Sequence, residues 1–186
     1  GPDLPPPLPS EPVVGVLARL DPVKGHETLF EALTAAAPGV LGLRARCAGE
    51  GRLAQALAAR AAELAAPVEL LGRVPDRWAF IAGCRIGVVP SLGSEAVSRV
   101  ALEWMAAGRP VIASRVGGLA DLVAHGTTGL LVPPGDAAAL AQALRELLTE
   151  PAKAEMMGQE GRRRWERYFS PTPFYEATQR IYERIT

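Results

Sequence analysis

A three-layer α/β domain built on a six-stranded parallel sheet is the fold this sequence predicts. Three observations predict it. Six short apolar runs recur along the chain, and segments with apolar residues at helical spacing separate them. Almost all the unusual residues fall in the loops that follow the apolar runs. Short strands alternating with helices imply βαβ units, and helices over both faces of the sheet leave its strands apolar on both sides.

Val13 to Ala18 is the first strand; Leu29, Phe30, Leu33 and Ala37 then mark a helix over His26–Ala37. Leu41 to Ala48 is the second strand, followed by a helix marked by Leu53, Leu57, Ala61 and Leu64. Val68 to Leu71 is the third, with a short helix from Asp76 to Ala82 after Pro75. Ile86 to Pro90 leads into a helix over Ser98–Ala107, and Pro110 to Ser114 into a short one over Leu119–Ala124. Gly129 to Val132 is the last strand. Asp136 is the N-cap of the next helix, whose stripe is Leu140, Leu144, Leu147 and Leu148. Two further helices, Ala152–Tyr168 and Pro173–Ile185, complete the pattern, the last with an apolar seam at Phe174, Thr178, Ile181 and Ile185.

With 186 residues, 48% of them hydrophobic, the chain supports one well-cored domain. Its proline-rich opening, residues 1–12, reads as a linker from a missing N-terminal domain, and residues 13–186 as the folded unit. Net charge is zero, which leaves no basic field for nucleic acid. Cys47 and Cys84 lie in apolar runs and read as buried thiols of a cytoplasmic protein. No apolar run reaches the ~20 residues that a membrane span needs. Arg162, Arg163, Arg164 and Arg167 read as a solvated helix face, with peripheral contact to an anionic membrane surface as the other reading. His125 reads as a turn residue.

In open α/β sheets ligands bind outside the carboxyl ends of the strands. The loop after the first strand, Arg19-Leu20-Asp21-Pro22-Val23-Lys24-Gly25, places two cations five positions apart just before a helix. A helix N-terminus favours anions, and two added cations make a place for more than one negative charge, as a diphosphate carries. After the fourth strand, Glu95 precedes a helix and Glu103 lies within it. Eight helical residues rise ~12 Å, so these carboxylates grip two parts of an elongated ligand rather than one proton or one metal. Carboxylates accept hydrogen bonds from sugar hydroxyls. Ser98 either donates to phosphate or caps the helix. No Asp-x-Asp occurs, and His26, His125, Cys47 and Cys84 show no metal-ligand spacing.

The segment Glu95-x7-Glu103, continued by Trp104-Met105-Ala106-Ala107-Gly108-Arg109-Pro110-Val111-Ile112-Ala113-Ser114, resembles the signature of retaining GT-B glycosyltransferases of family 4. Arg19-x4-Lys24-Gly25 resembles that family's diphosphate clamp. Gly49-Glu50-Gly51, Leu71-Gly72-Arg73-Val74, Gly117-Gly118 and Gly126-x-x-Gly129 to Asp136 follow in the family's order, from about Val13 to Thr149. The resemblance implies a Rossmann-like domain, one half of a GT-B fold, placed C-terminal to an acceptor-binding domain. It implies that the domain binds an NDP-sugar donor without a metal, for transfer with retention of configuration. Family relatives work in cell-envelope polysaccharide synthesis.

Residue by residue, Arg19 and Lys24 would bind the diphosphate and stabilise its charge, and Glu95 would contact the transferred sugar. Glu103 would hold the ribose. Backbone from Val97 through Ser98 and Arg99 to Val100 would contact phosphate and sugar, and backbone at Arg73 and Val74 the base. Gly49, Gly117 and Gly118 would line the donor site. Four positions depart from the pattern. Ala18 stands in place of glycine, Ala96-Val97 in place of Gly-Phe, and Asp121 in place of glutamate. Two other readings stay open: a GT-B relative such as a nucleotide-sugar 2-epimerase, and a non-catalytic sugar-nucleotide-binding module. The first-strand loop carries no Gly-x-Gly-x-x-Gly, against a dinucleotide oxidoreductase.

Overall fold

A computed structural model of the chain describes residues 6–93 and 96–170. Its strands are β1 (Val13–Leu17), β2 (Arg44–Ala48), β3 (Val68–Gly72), β4 (Ile86–Val89), β5 (Val111–Ser114) and β6 (Gly129–Val132). They form one parallel sheet in the order β3-β2-β1-β4-β5-β6. The helices are α1 (His26–Ala36), α2 (Ala54–Glu63), α3 (Arg77–Ala82), α4 (Arg99–Ala106), α5 (Leu119–Leu122), α6 (Ala137–Thr149) and α7 (Pro151–Tyr168). The expected α/β class and six parallel strands are therefore observed. Chain direction across the sheet reverses between β1 and β4, which opens a crevice between the loops that follow them.

Successive strand residues feed opposite cores. Val14 and Val16, Ile112, and Leu130 and Val132 join α1, α6 and Leu57 of α2 on one face. Val13, Val111, Ala113 and Leu131 join α3, α4 and α5 on the other. Trp104 of α4 dominates the second core and is fully buried. An aromatic of this size removes ~200 Å² from water, roughly 5 kcal/mol at ~25 cal/mol per Å². It reaches that depth because the two central strands carry glycine beneath it. A Cβ would stand 2.3 Å from the indole at Gly87 and 2.5 Å from it at Gly15. Phe80 tilts against the same ring, with centroids 6.2 Å apart.

Three helix starts are fixed by side-chain caps, each worth roughly 1 kcal/mol. Asp76 accepts from the amides of Trp78 and Ala79, Ser98 from Ala101, and Asp136 from Ala139. The stripe Leu140, Leu144, Leu147 and Leu148 is buried. Cys47 and Cys84 are buried free thiols, pushed up to about 12 and about 11 chiefly by burial. Among the described residues no helix is long and apolar enough to cross a membrane.

The structure corrects three expectations. Strands apolar on both faces hold for β4, β5 and β6 but not for β2 and β3. Arg44 and Glu69 are exposed on β2 and β3, and Arg46 is half-buried, reaching Glu69 at 3.7 Å. β3 is an edge strand, where charge costs little and blocks edge pairing, and the neighbouring β2 carries its charge on residues that solvent still reaches. The second strand starts at Arg44 rather than Leu41; Gly42 turns the chain with positive φ and leaves Leu41 99% exposed. Two of the four arginines of α7 leave the solvated face, while Arg163 and Arg167 are exposed as expected. Arg162 donates to the Ala106 carbonyl, and Arg164 to those of Asp121 and Leu122. They tie α7 to the ends of α4 and α5 by satisfying carbonyls that a helix end leaves over. From Pro6 on, the proline-rich opening lies against the domain. The buried Arg109 donates to the Pro6 carbonyl at 2.9 Å, and Arg85 to that of Ser10 at 3.2 Å. The seam expected over Pro173–Ile185 lies outside the described residues.

Candidate functional site

The loop after β1 is built to hold two cations at a fixed distance from β4. Arg19 leaves the strand, and a single 3-10 turn over Pro22–Lys24 ends at Gly25 in the left-handed region, φ 68°. The chain then enters α1. A Cβ on Gly25 would lie 1.9 Å from the Pro90 carbonyl oxygen, so the two loops touch through backbone. The Leu92 amide donates to the Val23 carbonyl at 2.8 Å and closes that contact. On the other side, Leu20 donates to Glu50 at 3.0 Å and Gly49 to Gly72 at 2.8 Å. The loops after β1, β2, β3 and β4 thus form one connected rim at the carboxyl edge of the sheet.

Two contiguous clefts open in this rim. One, about 330 Å³, is lined by Gly49, Glu50, Arg73, Val74, Arg77 and Glu103. The other, about 290 Å³, is lined by Arg19, Lys24, Ser91, Val97 and Ser98. Leu17, Ala18, Arg99 and Val100 line both and form their common wall. A larger cavity of about 490 Å³ lies at the amino ends of β1 and β2. Its charged side chains pair with one another, Arg44 with Glu11 and Arg46 with Glu69, and it lies at the edge of the sheet remote from the loops.

Most of the residues expected to act together are brought together, divided between the two clefts. Arg19 and Lys24 share the smaller cleft with Val97 and Ser98, while Glu103 faces Gly49, Arg73 and Val74 in the larger. Ser98 is buried and caps α4, accepting from Ala101 at 3.3 Å. That bond uses an oxygen lone pair, so its hydroxyl proton still needs an acceptor. Gly117 and Gly118 sit one strand farther on, between β5 and α5, and line neither cleft. Glu95 lies outside the described residues.

The sequence reading missed Arg77. Its guanidinium donates to Glu103 at 2.6 Å. The Glu103 side chain is only 21% exposed, and this is the partner that such burial requires. In the sequence Arg77 falls inside the expected helix Asp76–Ala82, just after its cap, where nothing marks it as part of a site. Arg19 likewise pairs with Asp21 at 3.1 Å, on a side chain 78% exposed. Pairs this open to water contribute about 0–1 kcal/mol, so an entering ligand exchanges them at small cost. Among the described residues, no group of three His, Cys, Asp or Glu side chains is placed to hold a metal ion.

His26, the first residue of α1, is 3% exposed, and neither ring nitrogen has a hydrogen-bond partner among the described residues. Burial, with a smaller push from Lys24 against a pull from Asp21, lowers its pKa to about 4. The unfolded state therefore takes up a proton near pH 6.5 that the folded state refuses, and stability falls as pH drops from about 6.5 towards 4. This side chain should account for about 2 kcal/mol lost by pH 5. Denaturant titrations of wild type and His26→Leu at pH 7.5 and pH 5 check this. The wild type should lose that much more than the variant, and equal losses would refute it.

Residues 11–150 match the family described as Glycosyl transferases group 1. The chain belongs to that family. Among curated relatives of this chain, D-rhamnosyltransferase WbpZ of Pseudomonas aeruginosa is 40% identical over 127 residues, covering 66% of this chain and 33% of the relative. Phosphatidyl-myo-inositol mannosyltransferase of Mycobacterium leprae is 37% identical over 139 residues, covering 71% of this chain and 36% of the relative. The chain spans about a third of the length of these relatives. A crystal structure of HepE from Anabaena with UDP and glucose superposes with a TM-score of 0.83 and 27% identity, over 95% of this chain and 48% of HepE. The fold is of the GT-B type.

Proposed function

We propose that this chain is the nucleotide-sugar-binding domain of a retaining, metal-independent glycosyltransferase of family 4, placed C-terminal to an acceptor-binding domain. The supporting observation is the pair of contiguous clefts, with the half-buried Glu103 in one and Arg19 and Lys24 in the other. That order matches a nucleoside followed by a diphosphate and a sugar. Glu103 takes the ribose hydroxyls in exchange for Arg77, and backbone at Arg73 and Val74 meets the base. Arg19 and Lys24 take the diphosphate.

Transfer breaks the bond between the sugar C1 and the diphosphate oxygen, and the oxygen keeps the electron pair. Arg19 and Lys24 stabilise the charge that develops there, a task that a metal ion performs in other sites. Glu95 contacts the departing sugar. The acceptor enters from the facing domain, its hydroxyl oxygen forms the new bond to C1, and its proton passes to the departing diphosphate oxygen. The relatives named above are sugar transferases, and HepE holds UDP on a closely similar fold, in keeping with this reading.

Calorimetric titration of the chain with UDP, GDP, ADP and NAD tests the assignment. One nucleoside diphosphate should bind saturably and NAD should not. Arg19→Ala/Lys24→Ala should weaken that binding about 100-fold with an unchanged melting temperature, since two charge-assisted contacts disappear. A folded wild-type chain that binds none of the four would overturn the reading.

A further inference from the structure

We propose that the Arg99 side chain is a third anion-binding group of this site, one that favours the free nucleoside diphosphate over its sugar-linked form. The proposal rests on the donor-site reading above. Arg99 lies on the wall common to both clefts, which a ligand extending from one into the other must pass. For a nucleotide-sugar the part that crosses is the diphosphate.

The position of Arg99 in the fold has no structural explanation. It is the first residue of α4, capped by Ser98, so a cation stands at the positive end of the helix dipole, where it costs stability. Its side chain is exposed, and among the described residues no carboxylate is within ion-pair distance. Arg19 and Arg77, the neighbouring guanidiniums, each hold a carboxylate. A residue that breaks a local rule without a compensating contact marks a functional position.

Charge arithmetic indicates what Arg99 adds. A sugar-linked diphosphate carries roughly two negative charges, which Arg19 and Lys24 match. When the sugar leaves, the oxygen retains the bonding pair and the terminal phosphate, with a second pKa of about 6, gains most of another charge. A third cation on the common wall is matched to that extra charge. Arg99 therefore binds the released diphosphate more strongly than the donor and lowers the free energy of the leaving group as the bond breaks.

The experiment compares wild type, Arg99→Leu, Arg99→Lys and Arg19→Ala/Lys24→Ala in titrations with UDP and UDP-glucose, GDP and GDP-mannose, and ADP and ADP-glucose. Arg99→Leu should weaken the bound nucleoside diphosphate about tenfold and its sugar ester no more than about threefold. Arg99→Lys should recover most of the difference. The melting temperature of ligand-free Arg99→Leu should equal or exceed that of wild type, which a merely structural role would not give. Equal losses for diphosphate and ester, or no loss, in the face of binding abolished by Arg19→Ala/Lys24→Ala would overturn the role of Arg99 and leave the donor site standing. Absence of all six ligands from the wild-type chain would overturn both.

Discussion

Replacing Gly87 with valine is expected to cost about 4 kcal/mol of folding free energy and to lower the melting temperature by about 10 °C. Gly87 lies in the middle of the sheet, paired with Gly15 on one side and Val111 on the other. A Cβ there would meet the Cδ2, Cγ and Cε2 atoms of Trp104 at 2.3 to 2.7 Å. The indole has no room to withdraw. It is fully buried, Phe80 lies against it, and its far edge already meets Gly15. Trp104→Leu alone should cost about 3 kcal/mol for lost burial and cavity. Because it frees the space above Gly87, valine should then cost only about 1 kcal/mol more, a non-additivity that contact predicts. Guanidinium denaturation of the four proteins measures the cycle. Additive losses would mean that Gly87 and Trp104 do not share this space.

Such an effect shows what a linear reading can and cannot reach. Helix and strand identities follow from period and from local punctuation, and both are local. Gly129–Val132 is a strand over the expected residues, and Asp136 caps α6 as the Pro-Gly-Asp sequence requires. Ser98 was legible as a cap for the same reason. The meeting of Gly15, Gly87 and Trp104 was not. It joins three elements far apart in sequence, and a glycine in a strand carries no sign of what lies above it. The same holds for the outer strands. Glu69 interrupts an apolar run because β3 is the edge of the sheet, and Arg46 reaches it from the neighbouring β2, a property of strand order and not of either run.

The candidate site divides along the same line. Cations and carboxylates in loops after strands stand out in a sequence, so Arg19, Lys24 and Glu103 could be named, and the structure places them around two adjoining clefts. Arg77 is an ordinary surface arginine until α3 folds beside α4 and brings it to Glu103, 26 positions away. Burial of His26 likewise depends on the packing of α1, and its depressed pKa follows chiefly from that burial, with a smaller push from Lys24. The arginines of α7 form one basic run in sequence, but in the fold Arg162 and Arg164 clamp carbonyls while Arg163 and Arg167 stay in solvent. Charge in a sequence shows where chemistry is available, and packing decides whether that charge is free to meet a ligand.

Gly25→Ala joins the two kinds of information, because it should damage fold and site through one contact. Alanine in the left-handed region costs about 1 kcal/mol. The larger share comes from its Cβ, 1.9 Å from the Pro90 carbonyl oxygen and 2.9 Å from the carbonyl carbon. Backbone cannot rotate away as a side chain can, so the loops after β1 and β4 must part, straining the bond from Leu92 to Val23. A total loss of about 4 kcal/mol is expected. Parting these loops also moves Lys24 away from Ser98 and Val97 across the smaller cleft. Nucleoside diphosphate affinity should therefore fall at least about tenfold even well below the melting temperature of the variant, since misplaced charge loses its directed hydrogen bonds. Arg19→Ala/Lys24→Ala should show the contrasting pattern, binding lost and stability kept. Thermal melts paired with calorimetry separate the two. A Gly25→Ala protein that melts within about 2 °C of wild type, equivalent to well under 1 kcal/mol, would show that the two loops do not meet through backbone as described.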